Sequence, residues 1–232
     1  MGLPILKHPT FELMVPSTKQ TLKYRPFLVK EEKILLLAQQ GGTANDLIRA
    51  INQIIEACVE DVDVNKLASF DTEYIFLQLR ANSVSELAKI NIHDEEIDDW
   101  VEVEVDLHDV IVPEIEMDNK VELADDIFIE LRYPRYVDMM RLDEDDELNT
   151  NIEMIAMCID KVYEGEEVME MSSFSKEEQE VFINSFSADA FAKVQEFFVN
   201  MPKVSMEAKY KIKVDGKNKT KKRKLEGIND FF

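Results

Sequence analysis

The run Tyr24-Arg-Pro-Phe-Leu-Val-Lys-Glu-Glu-Lys-Ile-Leu-Leu-Leu-Ala-Gln-Gln40 constrains the fold more than any other stretch. Pro26 biases Arg25 toward extended backbone. Glu31 and Glu32 then suit the first turn of a helix, where the free N–H groups favour negative charge. Ile34, Leu35, Leu37 and Ala38 supply that helix with an apolar face. Gly41-Gly42 stops it, because glycine takes the left-handed conformation that closes a helix. An extended segment therefore hands the chain to a helix buried along one side, and the fold must hold that junction in a core.

The flanking residues fit this frame. Residues 11–15 alternate apolar and polar side chains, residues 21–27 do so less cleanly, and Pro16-Ser-Thr-Lys19 separates them, which predicts a β-hairpin. Thr43, with Asp46 three residues on, caps a second helix whose stripe is Leu47, Ile48, Ile51, Ile54, Ile55 and Cys58. Ser69 is positioned to cap a third, through about residue 82. Strands are expected at 87–92, 100–107, 110–117, 121–123 and 127–131. Residues 151–163 read as a helix with Ile152, Ile155, Cys158, Ile159 and Val162 inward, ended by Gly165. Helices at 176–186, capped by Ser175 and Glu178, and at 188–200 follow. Alternation over 204–214 and the Asp215-Gly216 turn predict a closing hairpin that returns through 219–225. The expected class is α+β. It divides into a hairpin with three helices at 1–85, an acidic β-rich region at 86–148, and helices ending in a basic hairpin at 149–232, all of which could also form one unit.

Charge narrows the function. The formal net charge is -21 in 232 residues, which opposes nucleic acid or an anionic membrane as the main partner. Between residues 94 and 147 there are 22 acidic and 4 basic side chains, a surface suited to repelling other sheet edges or attracting a basic partner. From Lys203 onward the balance reverses, to 10 basic and 4 acidic. No apolar run approaches the length of a membrane span, and the first residues lack a basic segment followed by an apolar one, so neither a span nor a secretion signal is expected. Cys58 and Cys158 read as buried thiols of a reducing compartment, with a disulfide between them left open.

Catalytic and metal chemistry find little support. Gly41-Gly42-Thr43 lacks the lysine and the spacing of a phosphate-binding loop. His8, His93 and His108 stand in no nucleophile context. Asp143-Glu-Asp-Asp-Glu147 lacks the glycine and the distant closing glutamate of a calcium loop, so it reads as a solvated linker or helix start. Asp125-Asp126 are consecutive and diverge on a strand, which leaves a carboxylate hydrolase with abundance alone behind it. No cofactor or metal is expected. The candidate contacts are for partners: Phe231 and Phe232, either folded back on the core or exposed as an aromatic anchor, the basic run Lys221, Lys222, Arg223 and Lys224, and Tyr24 with Arg25. That basic run lacks interleaved aromatics, so a nucleic-acid module is the weaker reading and a tip that meets an acidic protein surface the stronger.

Four stretches carry a resemblance, in order and across nearly the whole chain: Tyr24 through Lys33, Phe70-Asp-Thr-Glu-Tyr-Ile-Phe-Leu-Gln-Leu-Arg-Ala-Asn-Ser83, Leu131-Arg-Tyr-Pro134 and Leu225-Glu-Gly-Ile-Asn-Asp-Phe-Phe232. Through them the chain resembles the baseplate hub protein family of T4-type bacteriophages. The resemblance implies a non-enzymatic structural or assembly protein that binds other hub or tail proteins, with a homo-oligomer among the possibilities. It would work in the host cytoplasm during virion assembly, then either stay in the tail baseplate or leave as a chaperone for a hub or tape-measure partner. Some members of that family carry cysteine pairs in hairpins corresponding to the last one here. This chain has none there, which speaks against zinc.

Overall fold

The computed structural model describes residues 6–40, 43–114, 117–142, 147–214 and 216–231. Strands β1 (Phe11–Met14) and β2 (Thr21–Tyr24) pair antiparallel, with Phe11 opposite Tyr24. Helix α1 (Val29–Gln39) opens where the Glu31 carboxylate accepts the Leu28 N–H at 2.9 Å. The expected glycine stop at 41–42 lies outside the described residues. Helix α2 (Ala44–Cys58) starts as its sequence requires: the Thr43 hydroxyl accepts from the Asp46 N–H and the Asp46 carboxylate accepts from the Thr43 N–H. Helix α3 (Ser69–Ser83) begins one residue earlier than expected, with Ala68 at the N-cap position and no side-chain cap, so Ser69 lies within the helix. The chain continues through β3 (Leu87–Asp94), β4 (Asp99–Asp106), β5 (Lys120–Ala124), β6 (Ile127–Leu131), α4 (Tyr136–Met139) and α5 (Glu147–Cys158). It ends with β7 (Ile159–Glu164), β8 (Glu167–Glu170), α6 (Lys176–Asn184), α7 (Ala188–Asn200), β9 (Ser205–Val214), β10 (Lys217–Glu226) and a 3₁₀ turn at Ile228–Phe231. The fold is α+β.

Two compact units share these elements, one built from residues 1–113 with 203–232 and the other from 114–202. The acidic strands are split between the units, β3–β4 in the first and β5–β6 in the second.

The first unit has two apolar cores with α3 serving both. Ile75, Phe76 and Leu79 meet Ile51, Ile54 and Ile55 of α2 and the β1–β2 hairpin. Leu77 and Ala81 meet Ile90 of β3, Val103 and Val105 of β4, and Ala208 and Ile212 of β9. A helix buried on two sides has no polar face to mark its orientation, which is why α3 shows no one-sided stripe. Its polar buried groups are engaged: Asp71 accepts the Ser17 N–H at 3.0 Å and also the Ser17 hydroxyl, and the Gln78 amide donates to the Leu107 carbonyl at 3.2 Å. Burial raises the Asp71 pKa.

Two sequence expectations need correction here. The spacing puts Leu37 on the inner face of α1, yet it is 71% exposed while Leu35 is buried. Helix α1 is apolar on more than one side, so periodicity could not choose the packed side. The strand expected at 110–117 reduces to one isolated bridge, Ile111 with Ser205, and residues 115–116 lie outside the described ones. Pro113 has no N–H to extend a ladder.

In the second unit, β5, β6, β7 and β8 form an antiparallel sheet in sequence order. Its Val121, Ile129, Leu131 and Val162 share a core with Ile155 of α5, Ile183 of α6, and Val194 and Phe197 of α7. The helix expected over 151–163 ends at Cys158, and Ile159–Glu164 is a strand. Gly165, at φ +58°, begins the β7–β8 turn and closes no helix. Ile152, Ile155, Ile159 and Val162 fit a helical stripe, but β-branched Ile159 and Val162 beside Tyr163 favour a strand, and β6 offers a pairing edge. The acidic run at 143–146 lies outside the described residues, and Glu147 begins α5.

Candidate partner-binding surfaces

Strand β10 has one buried apolar side chain, Leu225; lysines and an arginine fill most of the rest. What holds it, besides its register with β9, is charge. Asp94, at the end of β3, is buried and takes Lys221 Nζ at 2.7 Å on one oxygen and the Tyr210 hydroxyl at 2.7 Å on the other. Glu96 receives Lys219 at 2.8 Å and Lys221 at 2.9 Å. Lys221 above all holds the Asp94 carboxyl down to about 2, and the two lysines lower Glu96 as well. Arg223 donates to the His93 carbonyl at 3.1 Å, Lys222 pairs with Glu207 at 2.9 Å, and Lys224 with Glu226 at 2.6 Å. The basic hairpin therefore meets acidic residues of its own unit, and all four residues of the Lys221–Lys224 run have partners there.

Tyr24 and Arg25 weld the start of the fold together. Tyr24 is 3% exposed, stacks on Phe11, and its hydroxyl accepts the Asn82 amide at 2.9 Å. Arg25 reaches Glu31 at 2.9 Å and the Ala57 carbonyl at 2.9 Å, so one guanidinium ties β2 to both α1 and α2. Burial would raise the Glu31 carboxyl, but donation from Arg25, the Leu28 N–H and Lys30 outweighs it and brings the pKa to about 2. Phe231 is 1% exposed inside the core shared by α3, β3, β4 and β9, and its carbonyl accepts from Arg80 at 3.3 Å. Phe232 lies outside the described residues. Cys58 and Cys158 are free and buried, with burial raising their thiols to about 11 and about 12.

The exposed apolar surfaces lie elsewhere, where sequence reasoning did not look. In the first unit they include the outer side of α1, with Val29, Leu36 and Leu37, and Trp100 on β4, which sits edge-on to His93. In the second unit a groove of about 320 Å³ runs between α6 and the sheet. Its floor is Ile127, Val162, Met169, Met171, Phe174 and Phe182; Glu164 and Glu178 stand at its edges. An open patch at Val181 and Phe182, beside Glu177, continues it over α6. A second cavity of about 700 Å³ on the far side of Gln179 holds Arg132, whose guanidinium is bidentate to Asp138 at 2.7 and 3.0 Å. The signal for the groove was a glutamate-rich helix start between Phe174 and Val181-Phe182. A helix expected through 163 gives 166–174 no element of its own, so the groove floor has no periodic signal in the sequence. Among the described residues, no group of three or more His, Cys, Asp or Glu side chains is placed to hold a metal ion. No described helix is long and apolar enough to cross a membrane.

A family model described as T4 bacteriophage base plate protein matches residues 8–232. The chain belongs to that family. No curated protein and no solved structure matches this base plate protein. Membership gives it a structural role in the phage and other tail proteins as its neighbours.

Proposed function

We propose that this base plate protein builds the hub of the tail baseplate by binding other hub or tail proteins, and that it transforms no substrate. The observation that carries the reading is the family match over nearly the whole chain. The ion pairs agree with it. Asp94, Glu96, Glu31 and Asp138 lock strands and helices to one another, which is the work of a scaffold. On this reading the protein acts in the cytoplasm of the infected cell during assembly and at the virion baseplate afterwards. An exposed apolar groove in an acidic unit also suits a chaperone that leaves before the virion is complete.

One experiment addresses both. Affinity capture from infected cells is read by mass spectrometry beside a protein inventory of purified virions. Hub or tail proteins in the capture support the proposal. Presence in virions makes the protein a permanent part, and absence from them makes it a chaperone. A capture without any tail protein overturns both readings.

A further inference from the structure

Residues 114–202 hold 24 acidic and 7 basic side chains, so most of the net charge of -21 belongs to the second unit. The same unit carries the groove between α6 and the sheet, with no basic group among its described lining residues. Phe174 is 38% exposed and Val181 71%, an apolar strip left uncovered in a chain otherwise well supplied with charge. Met169 and Met171 make the floor adaptable, because an unbranched thioether repacks at low cost. Glu164 edges the sheet side, while Glu177 and Glu178 edge the first turn of α6. An apolar floor between acidic rims has a definite complement: apolar side chains on one face of a helix, flanked by lysine or arginine.

We propose that this groove receives a basic amphipathic helix of another protein, with its apolar stripe on the Met169–Phe174–Phe182 floor and its cations against Glu164 and Glu177. The inference rests on the reading of the protein as one that works by binding partners, and names the chemistry of one partner. A second copy of this chain fits less well. Its cationic segment, β10, is a strand whose run from Lys221 to Lys224 is already paired within its own unit.

The test uses the full chain and three synthetic peptides about five turns long. One is a Leu/Lys amphipathic helix, one has the same composition scrambled to destroy the stripe, and one has Glu in place of Lys. The first is expected to bind, and to weaken roughly tenfold or more as salt rises, since exposed charge pairs are screened. The other two are expected to bind far more weakly. Phe174→Lys with Val181→Lys should abolish binding, and Glu164→Gln with Glu177→Gln should weaken it and lessen its salt dependence. Glu178 is left intact because it caps α6 by accepting the Ser175 N–H. Leu37→Lys, on α1, should change nothing.

Equal binding of the scrambled or acidic peptide overturns the proposal, as does loss of binding in the α1 variant alone. A dimer in light scattering that Phe174→Lys dissociates also overturns it, by giving the groove to a second copy. The groove and the broader reading fail separately. If the Phe174→Lys/Val181→Lys chain still captures tail proteins from infected cells, only the groove assignment falls. If the peptide binds as expected but no tail protein is captured, the reading falls and the groove stands.

Discussion

Burial alone would favour a neutral Glu31, yet the Arg25 guanidinium, the Leu28 N–H and Lys30 keep it ionised down to about pH 2. Removing Arg25 leaves a buried carboxylate with fewer donors. Arg25→Ala should therefore cost on the order of 2 kcal/mol in urea unfolding, more than an exposed ion pair supplies. Asp94 gives a matching test by pH. Its folded pKa, about 2, lies below its ordinary 3.8. The stabilisation is fully present above about pH 4 and is lost as pH falls toward 2. Asp94→Asn should lower the melting temperature at neutral pH and flatten the drop between pH 4 and 2. Parallel melting curves for the two proteins across that window would detach Asp94 from the acid response.

At the scale of elements, the β7–β8 hairpin depends on Gly165, whose φ of +58° strains a residue with a Cβ although nothing stands within 4 Å of one. Gly165→Val should cost about 1–2 kcal/mol and Gly165→Asn less, measured by thermal melting. Equal tolerance of both would contradict the turn. The closing 3₁₀ turn makes a larger contribution. Phe231→Ala empties a buried ring site and should cost about 3–5 kcal/mol, roughly 10 °C in melting temperature. An unchanged melting temperature would place that ring outside the core. These two sites show what the sequence disclosed. Strands with clean alternation, β3, β4 and β9, were legible because one face is buried and one wet. Capping boxes at Thr43 and Ser175 were legible because their chemistry is local. Ile159–Glu164 was not, because Ile159 and Val162 stand three apart, a helical spacing that only the register shift against β6 brings into one core, and β6 lies almost thirty residues upstream. The pairing of Lys221 with Asp94 is likewise a contact across 127 positions. Composition announced both charges without saying that they meet.

At the scale of the molecule, the second unit is an insertion in the first. The chain leaves the first unit at Pro113 and re-enters it at Lys203. Two residues before the exit, Ile111 exchanges backbone hydrogen bonds of 3.0 and 2.8 Å with Ser205, two residues after the return. The two ends are thus held side by side by contacts internal to the first unit, whose two cores draw on no described residue between 114 and 202. Replacing 114–202 by a short Gly/Ser linker should then leave a chain that folds, because closing a short loop between neighbouring ends costs little entropy. Residues 114–202 alone, with their own core from Val121 to Phe197, should fold as a second cooperative body. Calorimetry of each piece is expected to show its own transition, and circular dichroism of the shortened chain should retain the α3 helix and the β9–β10 hairpin. If the shortened chain instead melts without cooperativity while 114–202 folds normally, the first unit needs the insertion in place. The Ile111–Ser205 exchange would then be a consequence of the insertion's folding and not the clamp that makes it removable.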